Sequence, residues 1–275
     1  MTRIALFQST TGIDPAANGS AIAEAIERAA AGGAEMLFTP EMSGLLDRDS
    51  ERAARSLQLQ DEDRVLAIAC KTTAQHRIWL HIGSLAVLAA DEKVANRGFV
   101  IDREGTVRAT YDKLHLFDVD LPTGESWRES SVYSPGKGVV LVNGTPVGKL
   151  GLTICYDLRF PMLFARLAEA DADVIAVPAA FTVPTGRAHW HVLLRARAIE
   201  AGLFIVAAAQ VGHHQDGRNT FGHSLVVDPW GEVLLDMGQE PGVGFADIDL
   251  ARISDVRSRI PALNHRRPIP EAVTR

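Results

Sequence analysis

The sequence predicts an α/β fold with four layers, in which two β-sheets pack face to face and helices cover both outer faces of a single domain. Strand-like and helix-like segments alternate along all 275 residues, and no Pro-, Gly- or Ser-rich linker divides the chain. Many of the strand-like segments are apolar on both faces, as strands buried between two layers are. A strand–turn–strand pattern with an Asp-x-x-Gly turn occurs twice, at 99–107 and 225–233, which indicates two related halves.

The first half of the chain contains two predicted helices and five predicted strands. The helix at 21–31 is rich in alanine and ends at Gly32-Gly33, because glycine tolerates the left-handed conformation of a helix C-terminus. The helix at 61–73 carries its apolar residues on one face. The predicted strands span residues 3–8, 35–39, 79–88, 96–101 and 107–111.

The second half continues the alternation after residue 155. Helices are predicted at 161–170 and 188–201, and the segment 203–209 is a wholly apolar strand of the buried kind. Further strands are predicted at 174–177, 225–227 and 232–235. The pairs Asn18-Gly19 and Asn143-Gly144 predict turns, since this dipeptide favours the positive φ of tight hairpins.

Composition excludes several classes of protein. The chain is 47% hydrophobic and 23% charged, with a net charge of −6, and it has no basic run of the kind that binds nucleic acid or an anionic membrane. No apolar stretch reaches membrane-spanning length, and the N-terminal apolar run is too short for a signal peptide. Two cysteines argue against a disulfide scaffold and favour a reducing compartment, so we expect a cytoplasmic protein.

The segment 150–161 carries the most functional information. An apolar run that includes Gly151 predicts a buried strand, Cys155 follows it, and a helix is predicted to begin there. A thiol at such a turn lies near unpaired backbone N–H groups and the positive end of a helix dipole, so we expect a lowered thiol pKa and donors for an oxyanion. Cys70, in contrast, lies in an apolar helical segment and is predicted to be a packing residue.

Two charged residues also follow predicted strands. Glu41 comes after the strand at 35–39, and Lys113 comes after the strand at 107–111. Functional residues gather where the carboxyl ends of strands meet, so both side chains are candidates to share a pocket with Cys155.

Longer motifs around these residues resemble the nitrilase, or carbon–nitrogen hydrolase, superfamily. The similarity is densest at 111–120, around Cys155, at 188–190 with 193–200, and at 221–224 with 227–231. It implies one domain over 1–275, with a core at about 3–250 and a C-terminal arm at 251–275. It also implies a catalytic triad of Glu41, Lys113 and Cys155 without metal or organic cofactor. The superfamily's second glutamate falls on Glu129, with Glu125 as the nearby alternative.

Within the superfamily, the chain is most similar to the branch of deaminated-glutathione amidases and ω-amidases. The resemblance implies hydrolysis of a small carboxylate-bearing amide through a cysteine thioester, releasing a carboxylic acid and ammonia or an amine. The backbone N–H of Tyr156 would complete an oxyanion hole, and Arg159 would bind the substrate carboxylate. Phe181, Thr182 and Thr185, in the predicted loop after the strand at 174–177, are candidates to line the pocket. An N-carbamoyl amino acid or nitrile hydrolase, and a non-catalytic binding module, remain as alternatives.

The histidines do not predict a metal site. His189 and His191 stand two residues apart on a helix and so face different directions, and adjacent residues such as His213-His214 rarely bind one ion together. Two positions depart from the branch: His191 replaces a frequent glutamate, and Arg187 replaces a frequent proline. The helix at 161–170 and the segment 260–275 resemble the dimer elements of the superfamily, which implies a homodimer or a larger homo-oligomer.

Overall fold

The computed structural model describes residues 1–89, 93–120, 124 and 126–274, and it contains two six-stranded sheets packed face to face. The strands are β1 (Thr2–Gln8), β2 (Met36–Phe38), β3 (Trp79–Leu88), β4 (Val94–Ile101), β5 (Val107–Asp112), β6 (Asp118–Asp120), β7 (Ser126–Arg128), β8 (Leu141–Thr145), β9 (Gly148–Leu152), β10 (Val174–Ala176), β11 (Phe204–Ala207), β12 (Val211–His213), β13 (Asn219–Phe221), β14 (Leu225–Val227), β15 (Val233–Asp236) and β16 (Gly242–Ile248). The α-helices are α1 (Pro15–Ala31), α2 (Ser50–Ala54), α3 (Arg64–His76), α4 (Pro161–Glu169), α5 (Val183–Ala201) and α6 (Ala251–Arg259). Short 3-10 helices lie at Gln60–Glu62, Glu129–Ser131 and Cys155–Arg159.

The two sheets repeat one topology. The strand orders are β16-β1-β2-β3-β4-β5 and β15-β14-β11-β10-β9-β8, and each sheet has three parallel central strands between antiparallel neighbours. The two Asp-x-x-Gly hairpins occupy equivalent places, and in each the aspartate, Asp102 or Asp228, accepts two backbone N–H groups of its turn. The two halves of the chain therefore share one topology, as the repeated Asp-x-x-Gly hairpin predicts.

Alternation along the strands divides the core into layers. In β1, Ile4 and Leu6 pack in the cluster shared by both sheets, whereas Ala5 packs outward against Ile22 and Ile26 of α1. Helices α1 and α3 cover the outer face of the first sheet, and α4 and α5 cover that of the second. Burying one such aliphatic side chain stabilises the fold by about 1.5–3 kcal/mol. The predicted four-layer α/β fold is confirmed.

Helix α1 begins at Pro15, six residues earlier than predicted, so Asn18-Gly19 is helical and the predicted turn there is wrong. Asp14 caps the helix by accepting the N–H of Ala16, and proline is well suited to the first helical turn. The Asn18 amide donates to the Gly12 and Gly44 carbonyls instead of forming a turn.

The second Asn-Gly pair also differs from its prediction. Asn143-Gly144 lies inside β8, where the pairing with β9 is irregular and Gly144 has a φ of 75°. The chain reverses two residues later, at 146–147. The glycine therefore serves a bulge rather than the hairpin turn.

Helix α5 begins at Val183 rather than at 188, because Thr182 is extended and Pro184 lies in the first turn. Thr185 is consequently on a helix, not in a loop. At the C-terminal end, the first nine residues of the predicted arm form α6, which buries Ile253 and Val256. Among the helices that the structure describes, none combines the length and apolar character needed to span a bilayer.

Candidate active site

Three chain segments bring Glu41, Lys113 and Cys155 to one cavity of about 480 Å³. Glu41 follows β2, Lys113 follows β5 directly, and Cys155 follows β9 of the facing sheet. Strands β2 and β5 run in the same direction, because two antiparallel pairings connect β3 to β5. The site therefore forms where the carboxyl ends of strands from both sheets meet.

The floor of the cavity is a buried ion cluster. Lys113 Nζ lies 2.8 Å from Glu41 Oε1, and 3.0 and 2.8 Å from the two carboxylate oxygens of Glu129. The Lys113 side chain is 2% exposed, and the side chains of Glu41 and Glu129 are 6% and 12% exposed. Two carboxylates thus share one ammonium, and the cluster carries a net charge of −1 when all three groups are ionised.

The protonation states follow from these contacts. Burial by itself would raise the pKa of Glu41, but the Lys113 charge and hydrogen bonds from Lys113, Cys155 and Asn96 hold that pKa below its ordinary value. Burial disfavours the Lys113 ammonium, yet Glu129 and Glu41 outweigh it and raise the pKa of Lys113. At neutral pH, Glu41 is a carboxylate and Lys113 is an ammonium.

The Cys155 thiol contradicts the sequence expectation of a lowered pKa. Burial and the neighbouring Glu41 carboxylate raise the pKa of Cys155 well above its ordinary value, and the influence of Lys113 is smaller. The helix that follows is a five-residue 3-10 turn, so its dipole is too short to compensate. The resting nucleophile is a neutral thiol that donates a hydrogen bond to Glu41.

The backbone presents this thiol at a sharp bend. Cys155 has a φ of 49°, a left-handed conformation that is uncommon for a residue with a side chain. Its N–H donates to Pro178 O at 2.8 Å, which fastens the bend to the end of β10. Tyr156 comes next in the first turn of the 3-10 helix, where N–H groups lack acceptors within the helix.

The cavity wall contains the other residues that the sequence singled out. Arg159, Phe181, Thr182 and Thr185 all line it. The Arg159 guanidinium lies over the rings of Tyr156 and Phe181, at 5.9 and 5.5 Å from their centroids. Within the described residues, its polar contact is His189 Nδ1 at 3.3 Å, and no carboxylate neutralises it.

Comparison with known proteins identifies the family of this chain. The model of the carbon–nitrogen hydrolase family matches residues 3–258. The chain belongs to the carbon–nitrogen hydrolase family. It is 40% identical over 274 residues to the deaminated glutathione amidase of Bos taurus, covering 96% of this chain and 82% of that protein. The hydrolase is thus an amidohydrolase of the nitrilase superfamily, on the deaminated glutathione amidase branch.

Solved structures agree with this placement. The NitFhit protein of Caenorhabditis elegans superimposes with a TM-score of 0.89 at 37% identity, covering 97% of this chain and 65% of that one. A mutant of the amidase from Nesterenkonia sp. AN1, which shows Michael addition of acrylamide at its active-site cysteine, superimposes with a TM-score of 0.79. That amidase is 28% identical, with 95% of this chain and 98% of its own covered.

Sequence reasoning missed Asn96 of the hydrolase. Its Nδ2 donates to Glu41 Oε1 and to Glu129 Oε1, both at 3.0 Å, so one amide bridges the two carboxylates. Asn96 is 1% exposed within a strand of mostly apolar residues. A buried amide in such a strand is the signal that could have identified it, because buried polar side chains need partners.

Asp157 of the hydrolase was also missed, and it orders the nucleophile turn. It is fully buried and accepts hydrogen bonds from Tyr111 Oη at 2.7 Å and from the Ile154 N–H at 2.9 Å. It also binds the backbone N–H and ring Nδ1 of His115. Asp157 therefore ties the turn that carries Cys155 to the loop that follows Lys113.

The outer wall of the cavity holds a second group that the sequence did not reveal. Two guanidinium groups lie over the Trp127 ring, with Arg48 at 5.2 Å and Arg218 at 5.1 Å from its centroid. The two positions that depart from the branch, Arg187 and His191, do not line the cavity. Glu125, the alternative to Glu129, lies outside the described residues.

Proposed function

We propose that this hydrolase cleaves the amide C–N bond of a small carboxylate-bearing amide, of the deaminated-glutathione or 2-oxo acid ω-amide type. The observation that carries the proposal is one cavity that combines a buried carboxylate–ammonium–thiol set with a guanidinium that has no carboxylate partner in the part of the chain that the structure describes. The first set is suited to acyl transfer, and the second to binding a carboxylate.

The first half of the reaction forms a thioester. Glu41 takes the thiol proton as Cys155 Sγ attacks the amide carbonyl carbon. The proton passes directly from sulfur to Glu41 during the attack, so the combined net charge of the ion cluster and the thiol does not change and no free thiolate has to accumulate. Lys113 and the backbone N–H of Tyr156 donate to the developing oxyanion. Glu41 then gives its proton to the departing nitrogen as the C–N bond breaks.

The second half releases the acid. Water enters the place that the ammonia or amine has left, and Glu41 takes a proton from it as it attacks the thioester carbonyl. Collapse of the second tetrahedral intermediate breaks the C–S bond, and the proton on Glu41 returns to sulfur. The products are a carboxylic acid and the amine, and the free enzyme is regenerated.

The selectivity for acidic amides is assigned to Arg159. Its planar guanidinium binds a carboxylate through two parallel hydrogen bonds. Stacking on Tyr156 and Phe181 already restricts the rotamers of this side chain, so it loses less conformational entropy when it binds. Phe181, Thr182 and Thr185 would contact the rest of the acyl group. The cavity volume of about 480 Å³ is within the usual range for organic ligands.

A substrate panel tests the proposal. Purified enzyme is assayed for ammonia and amine release from deaminated glutathione, ω-amides, N-carbamoyl amino acids and nitriles, beside Cys155→Ala and Cys155→Ser. We expect the highest kcat/KM for the carboxylate-bearing amides and no turnover by either variant. Preference for carbamoyl compounds or nitriles would replace the substrate assignment, and no turnover of any compound would favour the binding module.

We also propose that the hydrolase acts as a homodimer through α4 and α5. These helices expose Met162, Val192 and Ile199, whose side chains are 67, 67 and 53% accessible. Large apolar side chains exposed on two neighbouring helices are typical of an interface. Light scattering coupled to gel filtration should give twice the chain mass, and Val192→Asp should shift it toward the monomer.

A reducing compartment, such as the cytoplasm, is the proposed place of action. The nucleophile must remain a thiol, and both Cys70 and Cys155 are free in the structure. Localisation of a tagged copy by cell fractionation tests this, and recovery in an oxidising compartment would contradict it.

A further inference from the structure

Three side chains from separate elements meet at a point outside the catalytic cavity. His191 lies on α5, His223 lies between β13 and β14, and Asp236 ends β15. His191 Nε2 is 3.0 Å from Asp236 Oδ2, and His223 Nδ1 is 2.9 Å from Asp236 Oδ1. One nitrogen of each imidazole and one carboxylate oxygen all lie within 4.8 Å of one another.

We propose that His191, His223 and Asp236 bind a divalent transition-metal ion, with Zn²⁺ as the ion that fits the donors best. Two imidazole nitrogens and one carboxylate oxygen form a common zinc ligand set. Tetrahedral zinc with bonds of about 2.1 Å separates its ligand atoms by about 3.4 Å. With Asp236 Oδ2 as the oxygen ligand, its separations from His191 Nε2 and His223 Nδ1 are 3.0 and 3.2 Å, so both need to widen by only about 0.2–0.4 Å. The two imidazole nitrogens lie within 4.8 Å of each other and need to approach by at most about 1.4 Å, which side-chain rotations supply.

The surrounding structure already holds these ligands in place. His223 has a φ of 56°, and both its backbone groups are fixed: its N–H donates to Gly238 O at 2.7 Å, and its carbonyl accepts from Trp190 Nε1 at 2.7 Å. Asp236 Oδ1 accepts the Gly238 N–H at 2.9 Å. Hydrogen bonds from outside the ligand set orient metal ligands in this way, and they lower the ordering cost of binding.

Charge and access also favour a cation. With both imidazoles neutral, the cluster carries the single negative charge of Asp236. Binding requires each ring to move its proton to its other nitrogen, which frees the lone pair that faces the ion without any net proton release. The side chains of His191, His223 and Asp236 are 36, 21 and 35% exposed, so an ion can enter and water can take a fourth position.

The ion would connect the helix that borders the catalytic cavity to the second sheet. Helix α5 carries Thr185 in its first turn and His191 in its third turn, whereas His223 and Asp236 belong to the β13–β15 region. An ion that binds the folded chain but not the unfolded chain stabilises the folded state by mass action. Zinc should therefore raise the thermal midpoint, with no need for zinc in the acyl-transfer chemistry.

Zinc titration by isothermal calorimetry tests the site. The protein is the full chain with Cys155→Ala, which removes the catalytic thiol as a competing ligand. We expect one equivalent of Zn²⁺ per chain, and at least about a tenfold loss of affinity in His191→Gln and in His223→Asn. His191→Gln keeps a hydrogen-bond donor for Asp236, and His223→Asn places a residue that tolerates the positive φ of position 223. Matched urea midpoints in EDTA will show that both variants fold. His213→Gln, which removes an exposed histidine outside the cluster, should bind as the parent does.

X-ray absorption at the zinc edge identifies the ligands. The expected first shell is nitrogen and oxygen at about 2.0–2.1 Å with two imidazoles. Sulfur at about 2.3 Å would assign the ion to Cys70 and overturn the proposal. The proposal also fails if no stoichiometric zinc binds, or if His191→Gln and His223→Asn bind zinc as tightly as the parent.

Discussion

Glu129 binds both Lys113 and Asn96 in the ion cluster, and Glu129→Gln tests how far the position of Lys113 depends on it. In the structure, Oε1 accepts from Lys113 and Asn96, and Oε2 accepts from Lys113 and the Phe117 N–H at 2.7 Å. Glutamine has the same shape but offers one oxygen and one amide NH₂. In either orientation of the amide, the NH₂ faces two donors, so two hydrogen bonds are lost and a donor faces Lys113.

The size of the effect follows from these contacts. A hydrogen bond to a charged group contributes about 1.5–3 kcal/mol, and 1.36 kcal/mol corresponds to a tenfold change in rate. One of the two lost bonds comes from Lys113 in either orientation. If the loss of that bond displaces Lys113 from the oxyanion, kcat/KM should fall by about 10- to 10²-fold. The loss should appear mainly in kcat, because Glu129 lies at the floor of the cavity and Arg159 holds the proposed carboxylate contact.

The assay is steady-state hydrolysis of an ω-amide by the wild type, Glu129→Gln and Glu169→Gln. Glu169 is a surface glutamate that pairs with Arg166, so its variant should retain kcat/KM within about twofold. Urea unfolding of the same proteins separates activity from stability. If Glu129→Gln retained wild-type kcat while folding normally, the role of Glu129 in positioning Lys113 would be refuted.

Three further predictions concern other parts of the molecule. Arg159→Lys should raise KM for carboxylate-bearing amides by about 10- to 100-fold and leave neutral amides within about twofold, since lysine lacks the bidentate fork; equal effects on both in steady-state kinetics would exclude the carboxylate role. Burial lowers the pKa of His81 to about 3, so the folded state keeps this imidazole neutral while the unfolded chain takes up a proton below about pH 6.5. Between about pH 7.5 and about pH 5, the free energy of unfolding of the wild type should therefore fall by about 2 kcal/mol more than that of His81→Leu. The same pH dependence of both proteins in urea unfolding would argue against this. Gly83→Ala would place a Cβ against the Thr39 carbonyl, beside the segment that carries Glu41, so we expect a loss of about 1–3 kcal/mol with reduced kcat; an unchanged urea midpoint would show that the contact is relieved.

The sequence predicted the layers better than the details at the ends of elements. Alternation and apolar strands were sufficient for the two sheets, because burial on both faces leaves a clear pattern. Asn18-Gly19 was misread as a turn, because the local preference of that pair was outweighed by the Asp14 cap and by packing on α3, where Gly19 approaches Ile68 closely. Such long-range contacts leave no local pattern.

The candidate site shows the same limit. Glu41, Lys113 and Cys155 could be selected because each follows a strand. Asn96 could not be selected in this way, because its function depends on two carboxylates that lie 55 and 33 residues away in the chain. The thiol pKa was misjudged for a related reason, since burial and a nearby carboxylate outweigh the short helix, and neither is local.

The spacing of histidines along the chain likewise did not indicate the group formed by His191, His223 and Asp236. Two histidines at i and i+2 on one helix cannot share an ion, and that reasoning holds for His189 and His191. The partners of His191 come instead from the second sheet, where His223 and Asp236 are brought to it by the packing of α5. A search by spacing along the chain does not detect ligands that tertiary structure assembles.

The covalent intermediate on Cys155 distinguishes the proposed mechanism from every alternative. Wild-type enzyme is mixed with a slowly hydrolysed ω-amide, quenched in acid within the first turnover and digested, and the peptide containing Cys155 is analysed by mass spectrometry. The thioester mechanism predicts the added mass of the acyl group on that peptide, and no such mass on the Cys155→Ala protein or on the peptide containing Cys70. An acyl group on another residue, or hydrolysis by Cys155→Ala at the wild-type rate, would contradict it.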